Sequence, residues 1–238
     1  MTTSAFDVQG AAALLLGARR NNRPAATQIP APDDTDTAYR VQEAVMAGLR
    51  DPGGVWKMAL LGGVTREAGI LPRALLLEDG ARPDLPGHAA IEVETALILA
   101  GDPGPAPTLD AIAGIRLAFE FVASRLAGPP RPLWNMADSF SSAAIVLGDP
   151  IPGWQNGLPH LLGITLQLDD APVKVSETPA AIADALDFLG WLSGHAARQG
   201  RPLKKGDVVI TGARVGPLPL NGASRARAEA RGASVNTG

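Results

Sequence analysis

The pattern of the chain changes near residue 55, and this change limits the folds that it can adopt. Before that point, Ala and Leu recur at helical spacing in residues 5–20 and again in residues 37–50, which predicts two helices. After it, short aliphatic or β-branched runs are separated by Gly and Pro, of which the chain has 27 and 21. Such a frequency favours short elements joined by turns. We therefore predict an α/β chain of the α+β type, mainly helical over residues 1–54 and sheet-rich over residues 55–238.

Five runs after residue 54 have the length and composition of strands. They cover residues 55–61, 91–100, 117–126, 162–168 and 208–211. Asp169 and Asp170 separate two strand-like runs, as the tip of a hairpin does. A further helix is predicted over residues 179–199, because apolar side chains recur on one stripe and Gly200 follows it.

Composition and charge exclude several classes of protein. The chain has 21 Lys and Arg against 24 Asp and Glu, a formal net charge of −3, so no overall positive field attracts nucleic acid or an anionic membrane. It has no Cys, which excludes disulfides, thiolate nucleophiles and Cys-ligated metals. The apolar run at residues 10–18 is too short to span a bilayer, and its flanking charges are the reverse of those of a signal peptide. We predict a cytoplasmic protein with a small-molecule partner.

Two acidic residues alternate with apolar ones in the second predicted strand. Glu92 and Glu94 therefore point to the same face, about 7 Å apart. Two like charges beside aliphatic neighbours repel each other and resist desolvation unless protons or a cation compensate them. A hard divalent ion is one such compensator. The alternative is an edge strand that leaves both carboxylates in water.

A third acidic residue, Glu120, lies in a run whose two faces both look apolar. A buried carboxylate needs a partner, and the sequence leaves two alternatives open: an internal ion pair with Arg116 or Arg125, or a metal ion. Three carboxylates without a neighbouring His or Cys suit Mg²⁺ or Mn²⁺, because both ions prefer oxygen ligands.

Lys57 lies in the first predicted strand, among apolar residues. Its ammonium is predicted to lie near a substrate carboxylate or to donate a proton with a pKa lowered by burial, and the alternative is that it extends to the surface. The histidines at 88, 160 and 195 have no metal-ligand spacing, and His195 is predicted to be solvated near a helix end. The sequence contains no serine-hydrolase, zinc-protease or nucleotide-binding motif.

Six segments, taken in order, resemble motifs of one branch of the fumarylacetoacetate hydrolase superfamily, the 2-keto-4-pentenoate hydratases and 4-oxalocrotonate decarboxylases. These segments are TAYRVQEA at residues 37–44, the runs 55–60, 91–100 and 118–125, ADSFSSAAIVLG at residues 137–148, and Trp191-Leu192 followed by GDVVITG at residues 206–212. The similarity extends from about residue 10 to about residue 215.

The resemblance implies a mixed β-roll that holds Mg²⁺ or Mn²⁺ at the positions of Glu92, Glu94 and Glu120. It implies a lyase that hydrates or decarboxylates a 2-oxo acid or 2-hydroxy-2,4-dienoate, as in meta-cleavage aromatic catabolism. The residues assigned to catalysis are Lys57, Glu92 and Glu94, and those assigned to substrate binding are Lys57, Arg73, Ser141 and Thr211. The family also implies a homo-oligomer, and a pathway enzyme is a candidate partner.

Three positions depart from the family motifs. Arg73 replaces an acidic residue, Ala123 replaces the Asp of a "DSR" motif, and Ser139 replaces the Asn of an "ADN" motif. We therefore predict that Arg73 recognises a second anionic group on the substrate. Two alternatives to the lyase remain, a C–C hydrolase of the same fold and a non-catalytic relative that serves as a subunit or scaffold.

Overall fold

The computed structural model describes residues 6–238. In this range the helices are α1 Val8–Arg20, α2 Thr35–Leu49, α3 Pro132–Ala137 and α4 Ile182–Arg198. The strands are β1 Val55–Leu61, β2 Thr65–Leu71, β3 Leu76–Glu78, β4 Ala90–Leu99, β5 Ile112–Val122, β6 Ser142–Pro150, β7 Thr165–Leu168, β8 Ala171–Val173, β9 Val208–Ile210, β10 Val215–Pro219, β11 Ala226–Ala230 and β12 Ala233–Thr237. Within these residues, no helix combines the length and the apolar character that crossing a bilayer requires.

The two helices near the N-terminus begin at side-chain caps. Asp7 accepts a hydrogen bond from the N–H of Gly10 before α1, and Asp34 accepts one from Thr37 at the start of α2. Their apolar faces pack with α3 in a small separate core that contains Leu15 and Trp134. These two helices were predicted, and the structure confirms them. Residues 1–5 of the predicted N-terminal region lie outside the described residues, and the boundary at residue 54 stays a prediction.

The main sheet is mixed and contains eight strands. Seven of them follow the order β2-β1-β9-β4-β5-β6-β3, and β10 also pairs with β4. The pairs β1–β9 and β3–β6 are parallel, and the other pairs are antiparallel. A second sheet, in the order β12-β11-β7-β8, packs against the main sheet through a shared apolar core. The predicted α+β class with a mixed β-roll is confirmed.

Strand β4 is central, and this position decides the environment of its side chains. It pairs with β5 on one side and with β9 and β10 on the other, so the edge-strand alternative for Glu92 and Glu94 is wrong. One face of β4 presents Val93 and Leu97 to the main core. The other face carries both glutamates, followed by Ala96 in a small aliphatic layer. Glu94 is therefore fully buried, and Glu92 is only 8% exposed.

Some predicted elements have other bounds. The 117–126 strand begins at Ile112 and ends at Val122, because β5 pairs with the full length of β4 and then leaves the sheet. The hairpin tip at Asp169 and Asp170 is confirmed, and both residues have left-handed φ, 47° and 72°. Strands β11 and β12 were missed, since their inward side chains are mostly Ala, which has a low strand propensity.

The prediction that His195 is solvated is wrong. His195 is 6% exposed in the last turn of α4. Its ring stacks on Trp191 at 4.9 Å and 13° and lies 4.4 Å from the Tyr39 ring, and its Nε2 has no hydrogen-bond partner in residues 6–238. Burial, followed by the charge of Arg198, lowers the pKa of His195 to about 4, and Asp36 opposes this.

We expect His195 to make the protein less stable in acid. Because its pKa falls from 6.5 in the unfolded chain to about 4 in the fold, the unfolded state binds the proton first as pH drops. Its contribution to the free energy of unfolding should fall by up to about 3 kcal/mol between pH 6.5 and 4. Urea unfolding at several pH values measures this. His195→Phe should flatten the acid slope relative to wild type, while His160→Phe, at an exposed position, should leave the slope unchanged.

Candidate metal centre

Three carboxylates converge because of the register between β4 and β5. Glu92 lies directly opposite Glu120, and Glu94 is two residues further along the same face of β4. One oxygen from each carboxylate lies within 4.8 Å of the others. Glu94 and Glu120 are 0% exposed, and Glu92 is 8% exposed. The three acidic residues singled out from the sequence thus form one buried cluster.

Lys57 provides the positive charge of this cluster. Its Nζ lies 2.6 Å from Oε2 of Glu120 and 3.7 Å from Oε2 of Glu92. Strand β9 separates β1 from β4, and it ends at Ile210, which pairs with Lys57. The alternative that places Lys57 at the surface is wrong, because the side chain is 9% exposed.

Neither arginine that was considered for Glu120 pairs with it. The Nε of Arg116 donates to the carbonyl of Gly148, and the Nε of Arg125 donates to Oδ1 of Asp138. The ion-pair alternative was therefore right about the kind of interaction and wrong about the residue. The cation comes from β1, which is remote from Glu120 in sequence.

The cluster holds more negative charge than one lysine compensates. Burial raises the pKa of Glu92 to about 7 although Lys57 opposes it, and burial followed by the charge of Glu120 raises the pKa of Glu94 well above its ordinary value. For Glu120, burial alone would raise the pKa, but the charge and hydrogen bond of Lys57 outweigh it and lower the value. Without a further cation, the carboxylates on β4 tend to keep their protons.

The same charges act on Lys57. Burial alone would lower the pKa of Lys57, but the carboxylates of Glu120, Glu94 and Glu92 together outweigh burial and raise it. The direction is opposite to the lowered pKa expected for a proton donor. Lys57 is thus a stable ammonium in the protein without metal.

The residues present fit a hard divalent cation. Oε2 of Glu94 accepts the N–H of Gly212 at 2.8 Å, while its Oε1 is buried and has no hydrogen-bond partner in residues 6–238. An unsatisfied buried carboxylate oxygen is costly, and an ion at the centre of the cluster would satisfy it. All donors are carboxylate oxygens, which suit Mg²⁺, Mn²⁺ or Ca²⁺.

Ser142, which the sequence analysis missed, supports the cluster. Its Oγ donates to Oε1 of Glu120, and the residue is fully buried. Ser141, which the sequence analysis assigned to substrate binding, instead donates to Oδ1 of Asn135 at 2.7 Å. The register of β5 and β6 shifts between Phe121 and Val122, so spacing alone does not predict which serine of the pair points inward. The Ser-Ser doublet itself was the available signal.

We expect Ser142→Ala to lower the free energy of unfolding by about 2 kcal/mol, because Glu120 loses a buried hydrogen bond to a charged group. The matched variant Ser141→Ala removes a hydrogen bond to an exposed residue and should cost less than about 1 kcal/mol. Urea unfolding of both variants tests this. Equal losses would contradict the assigned register.

A strained turn, which includes Ser141, leads into Ser142 at the start of β6. Ser139, Phe140 and Ser141 have φ values of 50°, 54° and 65°, in the left-handed region that L-residues avoid at a cost of about 1 to 2 kcal/mol each. The turn is held by Asp138, which accepts hydrogen bonds from the backbone and the side chain of Arg125. This support fixes the serines beside the cluster.

Two cavities meet at the cluster, and Lys57 and Glu92 line both. One of them, which we call the Arg131 cavity, has a volume of about 510 Å³, and its other polar side chains include His88, Arg131, Asn135 and Ser141. The other, which we call the Phe188 cavity, has a volume of about 440 Å³ and is lined by Leu60, Thr95, Phe188, Thr211 and Gly212, among others. A substrate in either cavity therefore has access to the Lys57 ammonium.

The two remaining predicted residues lie in different places. Thr211 lines the Phe188 cavity, and its Oγ1 is 2.8 Å from that of Thr95. Arg73 lines neither cavity. Gly69 pairs with Lys57, and Arg73 follows the end of β2, where its backbone N–H donates to Asp51. The structure therefore places Ser141 and Thr211 in the walls of the two cavities but not Arg73.

Similar proteins place the chain in a family, although no family model matches it. It is 30% identical over 204 residues to the TodF product hydratase of Pseudomonas putida, covering 78% of this chain and 76% of that protein. It is also 30% identical over 247 residues to 2-keto-4-pentenoate hydratase 2 of Dechloromonas aromatica, covering 92% and 91%. The chain belongs to the 2-keto-4-pentenoate hydratase family. The predicted branch is thus confirmed.

Other relatives in this family match over a shorter stretch. The 2-keto-4-pentenoate hydratase of Paraburkholderia xenovorans is 31% identical over 140 residues, which are 54% of this chain and 49% of that protein. The chain thus spans about half the length of that relative.

Solved structures support the fold. The 4-oxalocrotonate decarboxylase of Pseudomonas putida G7, complexed with magnesium and adipate, has a TM-score of 0.81 at 18% identity and covers 99% of this chain and 98% of its own. The fumarylpyruvate hydrolase of Pseudomonas aeruginosa, complexed with Mn²⁺ and pyruvate, has a TM-score of 0.53 at 16% identity and covers 77% and 87%. At these identities the likeness concerns the fold.

The structure shows how the chain accommodates one departure from the family motifs. Ala123 has no carboxylate, but its carbonyl accepts a hydrogen bond from Nη1 of Arg125 at 2.9 Å. Asp138 provides the charge that pairs with Arg125. Arg125 is therefore paired without a carboxylate at position 123.

Proposed function

We propose that the protein is a divalent-metal-dependent lyase that hydrates or decarboxylates a 2-oxo acid or its 2-hydroxy-2,4-dienoate form. The observation that carries this proposal is the buried cluster of three carboxylates and one lysine, open to two cavities. Family membership supports the same reaction class.

In this proposal, Glu92, Glu94 and Glu120 hold Mg²⁺ or Mn²⁺. When bound, the ion supplies positive charge that stabilises negative charge developing on the oxygen of a 2-oxo acid. Lys57 is an ammonium near neutral pH, since its pKa is raised, and it faces both cavities. It therefore anchors a substrate carboxylate. Ser141 and Thr211 bind polar groups of the substrate from the two cavities.

The direct test is turnover. Purified protein with Mg²⁺ should bleach the ultraviolet absorbance of 2-hydroxypenta-2,4-dienoate or of the dienol of 2-oxohex-3-enedioate, and EDTA should stop the reaction. Product analysis by NMR separates added water from released CO₂. No turnover with either acid, in the presence of Mg²⁺ or Mn²⁺, would favour the scaffold alternative.

One observation supports the C–C hydrolase as a second candidate. His88 lines the Arg131 cavity together with Lys57, so an imidazole is available as a general base although none is adjacent in sequence. Cleavage of fumarylpyruvate in the same assay would favour this reaction over hydration.

Arg131, rather than Arg73, is expected to contact a second anionic group of the substrate. Arg131 lines the cavity that Lys57 lines, and it forms no ion pair within residues 6–238. With Mg²⁺ present, Arg131→Met should weaken binding of 2-oxoadipate by about tenfold or more and leave 2-oxohexanoate nearly unchanged. Calorimetric titration measures both. If Arg73→Met gives this selective loss instead, the earlier prediction for Arg73 holds.

The cytoplasmic location, self-association and a pathway partner enzyme remain predictions. Sedimentation velocity of the purified protein tests self-association.

A further inference from the structure

A third cavity, which Lys57 does not line, has several charged side chains in its wall. It has a volume of about 100 Å³ and lies between the end of α1 and the segment that follows β5. Its charged and polar lining residues include Arg19, Arg23, Asp84, His88, Ser124 and Arg125. We call it the Arg19 cavity.

Arg19 is the unusual member of this lining. Its Nε is buried and has no hydrogen-bond partner in the described chain, and Arg19 forms none of the ion pairs there. Burial, followed by the charge of Arg125, lowers the pKa of Arg19 to about 10, although Asp138 opposes this. A partly buried guanidinium without a partner, beside a second guanidinium, is costly unless an anion compensates it.

The neighbouring Arg125 does not need such a partner. Its Nε donates to Oδ1 of Asp138 at 2.6 Å, its Nη1 donates to the carbonyl of Ser142 at 2.8 Å, and its Nη2 donates to the carbonyl of Asp138 at 2.8 Å. Arg125 therefore adds positive potential to the cavity, while the donors of Arg19 remain available. Arg23, one turn further along the chain, also forms no ion pair in residues 6–238.

The charges around the cavity do not cancel. Three guanidinium groups line it, against Asp84 in the lining and Asp138 behind Arg125, which leaves one positive charge in excess. We propose that the Arg19 cavity binds a small oxyanion of the carboxylate or phosphate class. The planar fork of Arg matches the oxygens of either group, and a volume of about 100 Å³ admits inorganic phosphate or a short carboxylate.

The site adjoins the proposed substrate cavity. His88, Ala123 and Ser124 line both the Arg19 cavity and the Arg131 cavity. An anion bound at Arg19 would thus contact the segment that forms one wall of the Arg131 cavity. This proposal requires neither a metal ion nor turnover, so it stands or fails independently of the proposed function.

The test is thermal unfolding in EDTA, at constant ionic strength, with increasing phosphate. EDTA removes any contribution of phosphate bound to a metal ion. Wild-type protein should show a saturable rise of several degrees in Tm, because the ligand binds the folded state. Arg19→Met should lose this rise, and Arg20→Met, an exposed neighbour on the same helix, should keep it. Replacing phosphate by acetate, and both by chloride, distinguishes the two classes of oxyanion from a general salt effect.

Without phosphate, Arg19→Met should unfold at the same temperature as wild type or higher, since the substitution removes an uncompensated charge. This measurement also shows that the variant is folded. The proposal is overturned if Arg19→Met retains the phosphate-dependent rise, if Arg20→Met loses it equally, or if chloride raises Tm as much as phosphate and acetate do.

Discussion

Glu120→Gln is expected to weaken divalent-metal binding by more than about 100-fold and to abolish turnover. The substitution keeps the shape of the side chain but removes the charge of the fully buried carboxylate that lies opposite Glu92. Changing a residue that only supports a metal ligand typically costs 10- to 100-fold in affinity, so the loss of a proposed ligand should cost more. The fold should survive, since the Gln carbonyl oxygen can still accept from Lys57 while its NH₂ group donates to the hydroxyl of Ser142, which can also accept.

Oxalate provides a measurement that does not depend on knowing the substrate. As a bidentate mimic of a 2-oxo acid, it should raise the Tm of wild-type protein only when Mg²⁺ is present. Glu120→Gln should show no such rise. The control is Glu229→Gln on β11, where the carboxylate is 55% exposed and pairs with Arg227. A Glu120→Gln protein with the full Mg²⁺-dependent rise would exclude this residue as a ligand.

Lys57→Met is expected to destabilise the metal-free protein by about 3 kcal/mol near pH 8. Met has a similar length but no charge, so Glu120 loses the ammonium at 2.6 Å while remaining buried. Removing one partner of a buried ion pair typically costs 3 to 5 kcal/mol, and protonation of the carboxylates reduces this loss. Turnover should also fall, because the ammonium that faces both cavities is absent.

The pH dependence of this variant follows from the same charges. Burial raises the folded-state pKa of Glu92 to about 7 and that of Glu94 well above its ordinary value, so the stability that their protons provide is fully present below pH 4.5 and is lost as pH rises toward these folded-state values. Without Lys57 this loss should be steeper. Urea unfolding in EDTA between pH 6 and 8 measures the difference, and saturating Mg²⁺ should restore most of the stability.

An exposed lysine provides the control for this variant. Lys174→Met should unfold as wild type does, with or without Mg²⁺. If Lys57→Met is as stable as wild type in EDTA at pH 8, Lys57 does not compensate the carboxylates and the description of the cluster is wrong.

Local patterns were sufficient to predict the elements on which the site is built. The bounds of β1 follow from an aliphatic run, and Glu92 and Glu94 share a face because side chains alternate along any strand. The three predicted helices, α1, α2 and α4, are present, because apolar periodicity acts within a few residues; a side-chain cap adds to it in α1 and α2. The resemblance to the family then indicated which acidic residues belong together.

Pairing between distant segments decided the rest. The spacing of residues along the chain does not show that Glu120 lies opposite Glu92, or that Lys57 reaches Glu120 from β1. It also does not show that Ser142, rather than Ser141, points inward. Each of these depends on register, and a shift of one residue reverses the side to which a side chain points. Arg131 was missed for the same reason, since chain position alone does not show that Arg131 lines a cavity at the cluster and that Arg73 does not.

The electrostatic properties of the cluster likewise depend on the tertiary structure, whereas the shared face of Glu92 and Glu94 does not. Alternation along one strand is a local property, so the amino-acid order was enough to specify a face with two carboxylates. Folding removes several groups from water and sets their neighbours. It thereby raises the pKa values of Glu92 and Glu94, places the ammonium of Lys57 beside Glu120, and leaves the Nε of Arg19 without a hydrogen-bond partner among residues 6–238. Electrostatic energy depends on distance and desolvation in three dimensions, and neither quantity is contained in the order of residues.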